Sequence, residues 1–361
     1  MPPVAVDAIV VISFGGPEGP DDVIPFLEQV LRGRNVPLDR LEAVAEHYHL
    51  FGGVSPINAQ NRALVESLRA ELAAHGPPLP VYWGNRNWHP FLADTVRRMA
   101  DDGVRRAAAF VTSAYPSWSG CRQYREDIAR AQAAVGPSAP RIDKLRLFFD
   151  NPGFVRPLAE ALQAAREEAG TDAPVLFSAH SIPQVMADTS DYVAALTETA
   201  QLVADRSGSP PWQLAFQSRS GPPSQPWLAP DVTDTVAGLA READAVIVAP
   251  IGFVSDHMEV VYDLDTEAAD AARRAGVKLV RASTPGTHPA FVTMIRDLVV
   301  ELIDPAAPRH RLGRLETARS LAGRCGTGCC PPMPAPPPRR TTAIGDKGIG
   351  NDGDQLNDGD Q

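Results

Sequence analysis

The sequence predicts an α/β protein made of two similar doubly wound lobes, each with its own parallel sheet. Three observations carry that expectation. Short apolar runs rich in β-branched residues alternate with longer amphipathic stretches, the order that yields strand–helix–strand units with right-handed crossovers. The runs themselves lack an apolar–polar alternation, as expected of strands covered on both faces. A turn-rich FFDNPGF at 148–154 separates the runs into two groups.

Taken in order, AIVVIS at 8–13 is the first strand, followed by strands at 79–83 and 106–111. Between and after them, apolar residues at helical spacing mark helices at 60–74 and 124–134. Beyond the FFDNPGF turn the pattern repeats, with strands at 175–179, 214–217, 245–249 and 278–281 and helices at 154–169 and 192–205. The lobes are therefore expected over 1–152 and 153–308, with a last helix at 312–321 inside a 309–330 cysteine-bearing segment. From 331 onward, PPMPAPPP and two copies of NDGDQ cannot bury a core, so 331–361 reads as a disordered tail. The NDGD repeats lack the ligand spacing and closing glutamate of an EF-hand loop.

Composition narrows the function. A chain of 361 residues that is 44% hydrophobic can bury a large core, and a net charge of −10 offers no general footprint for nucleic acid. No apolar run approaches the ~20 residues needed to cross a bilayer. The opening MPPVAVDAIVVISF has no basic n-region and no cleavage site, so a cytoplasmic location is expected. Four cysteines in so long a chain are not a disulfide framework. They are reactive thiols, metal ligands or bystanders.

Several strand ends carry chemistry. The first strand ends in SFGGPEGP, which lacks G-x-G-x-x-G, and Pro17 removes an amide where a phosphate would want one. A close-packed turn is the better reading. The strand at 175–179 runs into SAHSIP, which sets His180 where open α/β sheets bind ligands. A lone histidine there more often bonds its own loop. The next segment changes the balance: PIGFVSDHMEVVYDLDTEAAD places Glu259, Asp263 and Glu267 at i, i+4, i+8, a carboxylate stripe along one helix face. The bland alternative is a solvated face. A histidine opposite a carboxylate row reads instead as a metal-handling or proton-relay cleft. GGVSPIN, with Ser55 in a glycine turn behind EHYHLF, and TSAYPSWSGCRQY, with Tyr115, Trp118 and Tyr124, add aromatic walls and hydroxyls suited to a flat apolar ring with a polar rim.

SFGGPEGP, the RGR at 32–34, HYHLFGGVSPIN, GNRNW, SAHSIP, QSRSGPPSQPWLAPDVTD and IGFVSDHMEVVYDLD together resemble the ferrochelatases, in particular their Gram-positive, actinobacterial branch. The resemblance runs from about residue 5 to about 305. It implies two Rossmann-type lobes of the chelatase fold around a porphyrin cleft, with Fe(II) and a porphyrin as substrates; a monomer and handover to neighbouring haem-pathway enzymes are separate expectations. It further implies insertion of Fe(II) into coproporphyrin III to give coproheme. Protoporphyrin IX, a cobalt or nickel chelatase of the same fold, and a non-catalytic haem or metal carrier are the rival readings. By motif, the resemblance makes His180 and Glu259 the metal-site pair, Asp263 and Glu267 the acidic path behind them, and Ser55 and Tyr124 porphyrin contacts. Phe14 stands where some relatives have an iron-reaching tyrosine, which leaves Tyr124 for product iron. Many members also hold a [2Fe–2S] cluster on three C-terminal cysteines and one internal cysteine. Cys325, Cys329 and Cys330 match the first three; the internal ligand is expected just after SAHSIP, where this sequence has none, and Cys121 does not match that position.

Overall fold

The computed structural model describes residues 5–33, 37–170, 172–208, 210–315 and 328–332. In the first lobe β1 (Ala8–Ser13) leads through α1 (Val23–Val30), α2 (Leu38–His49) and α3 (Ile57–His75) to β2 (Val81–Asn85). Then come α4 (Leu92–Asp101), β3 (Arg106–Val111), a π-helical turn (Trp118–Arg122), α5 (Gln123–Val135) and β4 (Arg141–Lys144). The strands form a parallel sheet of order β2-β1-β3-β4.

The second lobe repeats that plan. After α6 (Pro152–Ala169) it runs β5 (Val175–His180), α7 (Gln184–Asp188), α8 (Tyr192–Arg206), β6 (Trp212–Gln217), α9 (Val232–Leu239) and β7 (Ala245–Ala249). It ends with α10 (Met258–Tyr262), a π-helix (Asp263–Ala268), α11 (Ala269–Ala275), β8 (Lys278–Arg281) and α12 (Pro289–Ile303). The order β6-β5-β7-β8 is again all parallel. In each sheet the chain reverses its direction of growth beside the first strand, the switch point at which such folds open a ligand crevice.

All seven expected strands are present, and β1 and β7 are buried along their whole length, which is why they show no alternation. β4 was not expected: Arg141–Lys144 (RIDK) is a half-exposed edge strand, and its polar residues conceal it from a search for apolar runs. The FFDNPGF turn becomes the cap of α6, with Asn151 Oδ1 accepting from Gly153 N at 2.8 Å and Pro152 opening the helix. Gly153 itself is required by packing, since a Cβ there would lie 2.5 Å from Met294 Cβ on α12. The last helix expected at 312–321 is corrected where it can be seen. Residues 311–315 are not helical: Arg311 pairs with Asp150 at 2.6 Å, and Glu198 Oε1 accepts from Leu315 N at 2.8 Å. The rest of that helix, and the tail beyond Pro332, lie outside the described residues.

One apolar core runs beneath both sheets. It joins Ile9 and Phe110 of the first lobe to Phe177 and Ile247 of the second through Phe148, Phe154 and Phe291. Each fully buried phenylalanine contributes about 1.5–3 kcal/mol relative to exposure. α12 lies across the junction, packed on both α6 and α3. Its Glu301 forms a two-pronged pair with Arg146, at 2.7 and 2.9 Å, with both side chains only 7% exposed. Removing one partner strands the other charge. Glu301→Ala should therefore destabilise the protein by about 3–5 kcal/mol in denaturant unfolding, whereas Glu301→Gln, which keeps an acceptor, should cost clearly less. Equal losses would show that the charge is not what matters.

Candidate functional site

The site forms at the switch point of the second sheet. His180 is the last residue of β5, and the loop after β7 carries the chain to Glu259 in the first turn of α10. His180 Nδ1 lies 2.5 Å from the Ser181 carbonyl, which fixes the ring and turns Nε2 toward Glu259 Oε2 at 3.4 Å. Tyr192 Oη donates to the His180 carbonyl at 2.9 Å and steadies the strand end. Burial disfavours the imidazolium, but the charge and hydrogen bond of Glu259, the Ser181 carbonyl and the charge of Asp263 overcome it and raise the His180 pKa to about 9. Burial works against the Glu259 carboxylate as well, yet His180 and His257 pull it down to about 2. At neutral pH the resting pair is an imidazolium and a carboxylate.

Behind them the chain departs from a regular helix. The carboxylate row was expected along one α-helical face; instead the π-helix begins at Asp263, so Glu267 does not repeat Asp263 one α-turn on. The row grades from a half-exposed Glu259 through a buried Asp263 to an exposed Glu267. Burial, with Glu259 and Glu267 on either side, lifts Asp263 to about 7. Ser218 Oγ and Gln217 Nε2 both donate to Asp263 Oδ2, and Gln217 Nε2 also reaches the Glu259 carbonyl at 3.0 Å. Ser218 holds this position at φ +61°, a left-handed conformation that costs a non-glycine residue about 1–3 kcal/mol.

The opposite wall belongs to the first lobe. Ser55 is buried against the turn after β1, its N–H donating to the Pro17 carbonyl at 2.9 Å. Gln60, in the first turn of α3, accepts from Asp256 N at 2.8 Å and ties this wall to the approach to α10. Tyr124 begins α5 with its ring 5% exposed and the Arg86 guanidinium 3.8 Å over its face. With Arg86 on its face and the first-lobe core around it, the ring shows little surface. Among the described residues it touches neither His180 nor Glu259.

Two residues join the site without having been singled out. Tyr48, near the end of α2, is buried beside Met258 of α10, and burial together with Glu259 and Asp263 pushes its phenol pKa up. His257 caps α10, its ring 5.0 Å from Phe253, and burial lowers its pKa despite Glu259. The neighbouring His47 stacks on Tyr262 with centroids 3.7 Å apart. EHYHLF showed the aromatic and imidazole cluster; it could not show that α2 sits on α10.

The cysteines lie elsewhere. Cys121 is buried in the Trp118–Arg122 turn, and Arg122 Nη1 donates to the Cys329 carbonyl at 3.3 Å, so the chain at Cys329 lies on that turn. Cys329 and Cys330 have their sulfurs 3.6 Å apart. Cys325 lies outside the described residues. No group of three or more His, Cys, Asp or Glu side chains among the described residues is arranged to hold a metal ion. No helix there is long and apolar enough to cross a membrane.

A family model described as Ferrochelatase matches residues 6–302. The chain belongs to the ferrochelatase family. It is 51% identical over 337 residues to a ferrochelatase of Rhodopirellula baltica, covering 92% of this chain and 95% of that one. It is 53% identical over 350 residues to a coproporphyrin III ferrochelatase of Frankia alni (92% and 88% covered) and 49% over 347 residues to one of Nocardia farcinica (92% and 98%). Among solved structures, SirB from Bacillus subtilis with Fe3+ superimposes with a TM-score of 0.51 at 12% identity, over 85% of this chain and 99% of that one, a likeness of fold alone. The matched residues 6–302 include SAHSIP, with His180, and IGFVSDHMEVVYDLD, with Glu259 and Asp263.

The electrostatics can be read directly. His180 should titrate by NMR with a midpoint near 9. In Glu259→Gln the largest raising contributions are gone, while burial still lowers and the Ser181 carbonyl and Asp263 still raise, so the midpoint should fall well below 9. A midpoint that stays near 9 in the variant would mean that another group holds the proton.

Proposed function

We propose that the protein inserts Fe(II) into coproporphyrin III, releasing two pyrrole protons and giving coproheme, in the cytoplasm, where its thiols stay reduced. The observation that carries this reading is the His180–Glu259 pair, 3.4 Å apart at the carboxyl end of the second sheet. The coproporphyrin specificity is supported by relatives about half identical over most of the chain that bear that name.

A nitrogen and a carboxylate donor suit Fe(II). Two protein ligands leave most of its shell open, which suits an ion in transit to a macrocycle. A metal can bind imidazole only after its proton leaves, so arriving Fe(II) displaces the proton that His180 carries at rest. Glu259 stays ionised beside it and is a poor proton store. Asp263, with its pKa raised to about 7, is matched to take protons at neutral pH and pass them along the row to exposed Glu267. Ser55 and Tyr124 contact the porphyrin from the other wall. Binding that bends the ring exposes its nitrogens and brings the transition state closer.

Anaerobic turnover with Fe(II), followed by the Soret band, tests this. Coproporphyrin should be metallated in preference to protoporphyrin, and His180→Ala should abolish turnover in a folded protein. Preference for protoporphyrin, reaction only with cobalt or nickel, or binding without turnover would each favour one of the rival readings. Because one proton leaves with each Fe(II) bound, apparent metal affinity should rise about tenfold per pH unit between 7 and 9. It should level off above the His180 pKa.

A second reading concerns the thiols. The Arg122–Cys329 bond brings the adjacent Cys329 and Cys330 to the turn that carries Cys121. A [2Fe–2S] cluster needs four thiolates; the segment after SAHSIP offers none, and Cys121 would be the internal one, although among the described residues Cys121, Cys329 and Cys330 are not arranged as a metal site. With Cys325, which lies outside the described residues, the chain has the four thiols such a cluster would need. Freshly purified protein should absorb between about 400 and 600 nm and carry about two irons per chain. Cys121→Ser should lose both while keeping its fold. If the absorption survives that substitution, Cys121 is not a ligand.

A further inference from the structure

Three loops of the first lobe meet at its cleft wall: the turn after β1, the glycine turn before α3, and the loop after β2. Asn58, in the first turn of α3, is fully buried at their junction. Its Nδ2 donates to the Gly16 carbonyl at 3.1 Å and to the His89 carbonyl at 3.2 Å. Its Oδ1 accepts from Asn85 Nδ2 at 3.1 Å. Asn85, equally buried, donates also to the His89 carbonyl at 2.9 Å and accepts from Trp83 Nε1 at 3.0 Å. Both amides are fully used, the condition under which a buried polar network rigidifies its surroundings rather than weakening them.

What this network grips is the backbone that sets Ser55. Gly16 packs so closely on Ser55 that a Cβ on the glycine would lie 2.7 Å from Ser55 Cβ and 2.9 Å from its Oγ. Ser55 N–H is bonded to the next carbonyl along, that of Pro17. An apolar residue at position 58 could fill the same space, but it would leave the Gly16 carbonyl, the His89 carbonyl and an Asn85 donor buried without Asn58 as partner.

We propose that Asn58 is a positioning residue for the porphyrin: it pins the Gly16 turn and, through it, sets the place of Ser55 on the cleft wall. The inference rests on the reading of this cleft as a porphyrin site. Asn58 touches neither metal nor reacting nitrogen, so its effect should fall on porphyrin and not on Fe(II).

The test uses Asn58→Ser, which leaves room for a water at the vacated amide, alone and combined with Ser55→Ala. Porphyrin affinity is read by fluorescence quenching, and KM for porphyrin and Fe(II) by turnover. The expected result is a porphyrin Kd and KM about tenfold weaker with KM for Fe(II) unmoved. In the Asn58→Ser background, Ser55→Ala should cost much less than it does alone, since a misplaced hydroxyl has little left to lose. A loss of stability alone would not produce that coupling. Unchanged porphyrin affinity, strictly additive effects, or equal shifts in both KM values would overturn the assignment while leaving the function intact. A wild-type protein that neither binds porphyrin nor turns over would overturn the underlying reading instead. Should Asn58→Ser fail to fold, Gly16→Ala displaces Ser55 without touching the asparagines. It should weaken porphyrin binding by a similar factor; unaltered binding there would refute the proposed route through Gly16.

Discussion

The apolar core shared by the two sheets is the constraint on which the rest of the molecule depends. Two lobes with separate cores would meet across a surface free to slide. Here Phe148, Phe154 and Phe291 belong to both, and α12 crosses the junction with Glu301 locked on Arg146. The back of the cleft is therefore a packed interior, with the low compliance of such interiors. Contacts nearer the site, such as Tyr115 Oη to the Ile251 carbonyl at 2.8 Å and Gln60 to Asp256, need that fixed spacing to form.

On that base the second lobe sustains an arrangement its own preferences resist. Two carboxylates and an imidazole are held together in partial burial, and the chain adopts a left-handed Ser218 to place a hydroxyl on Asp263. Their environments push the groups apart in acidity: Glu259 to about 2, Asp263 to about 7, His180 to about 9. Such separation divides labour between neighbouring carboxylates. Glu259 keeps its charge for a cation, and Asp263 is left able to exchange protons.

Much of this was legible in the sequence, for identifiable reasons. Strands buried on both faces announce themselves as uninterrupted apolar runs, and parallel topology sends their carboxyl ends to the ligand side, so His180 could be placed from SAHSIP alone. The i, i+4, i+8 carboxylates located the right segment but implied the wrong helix, because spacing along a chain does not reveal an i→i+5 ladder. Tyr48 and Asn58 were beyond reach for a different reason. Each acts through a contact between elements distant in sequence, α2 on α10 and α3 on the turn after β1, and no local pattern encodes such a meeting. Cys121 shows the same limit: 208 positions separate it from Cys329, and only the fold brings their segments together.

The π-helix at Asp263–Ala268 has a consequence for anyone redesigning this protein. It joins two helices that are each seated in the core, α10 through Met258 and Val260 and α11 through Ala271 and Ala272. Winding the same six residues as a regular α-helix, at about 100° each, would rotate everything after them by roughly a further 100° about the helix axis. Either the alanines would leave the core or Glu259 would leave His180. The widened turn is a phase adjuster between two fixed faces, and a regular α-helix of the same length there would be incompatible with one of them.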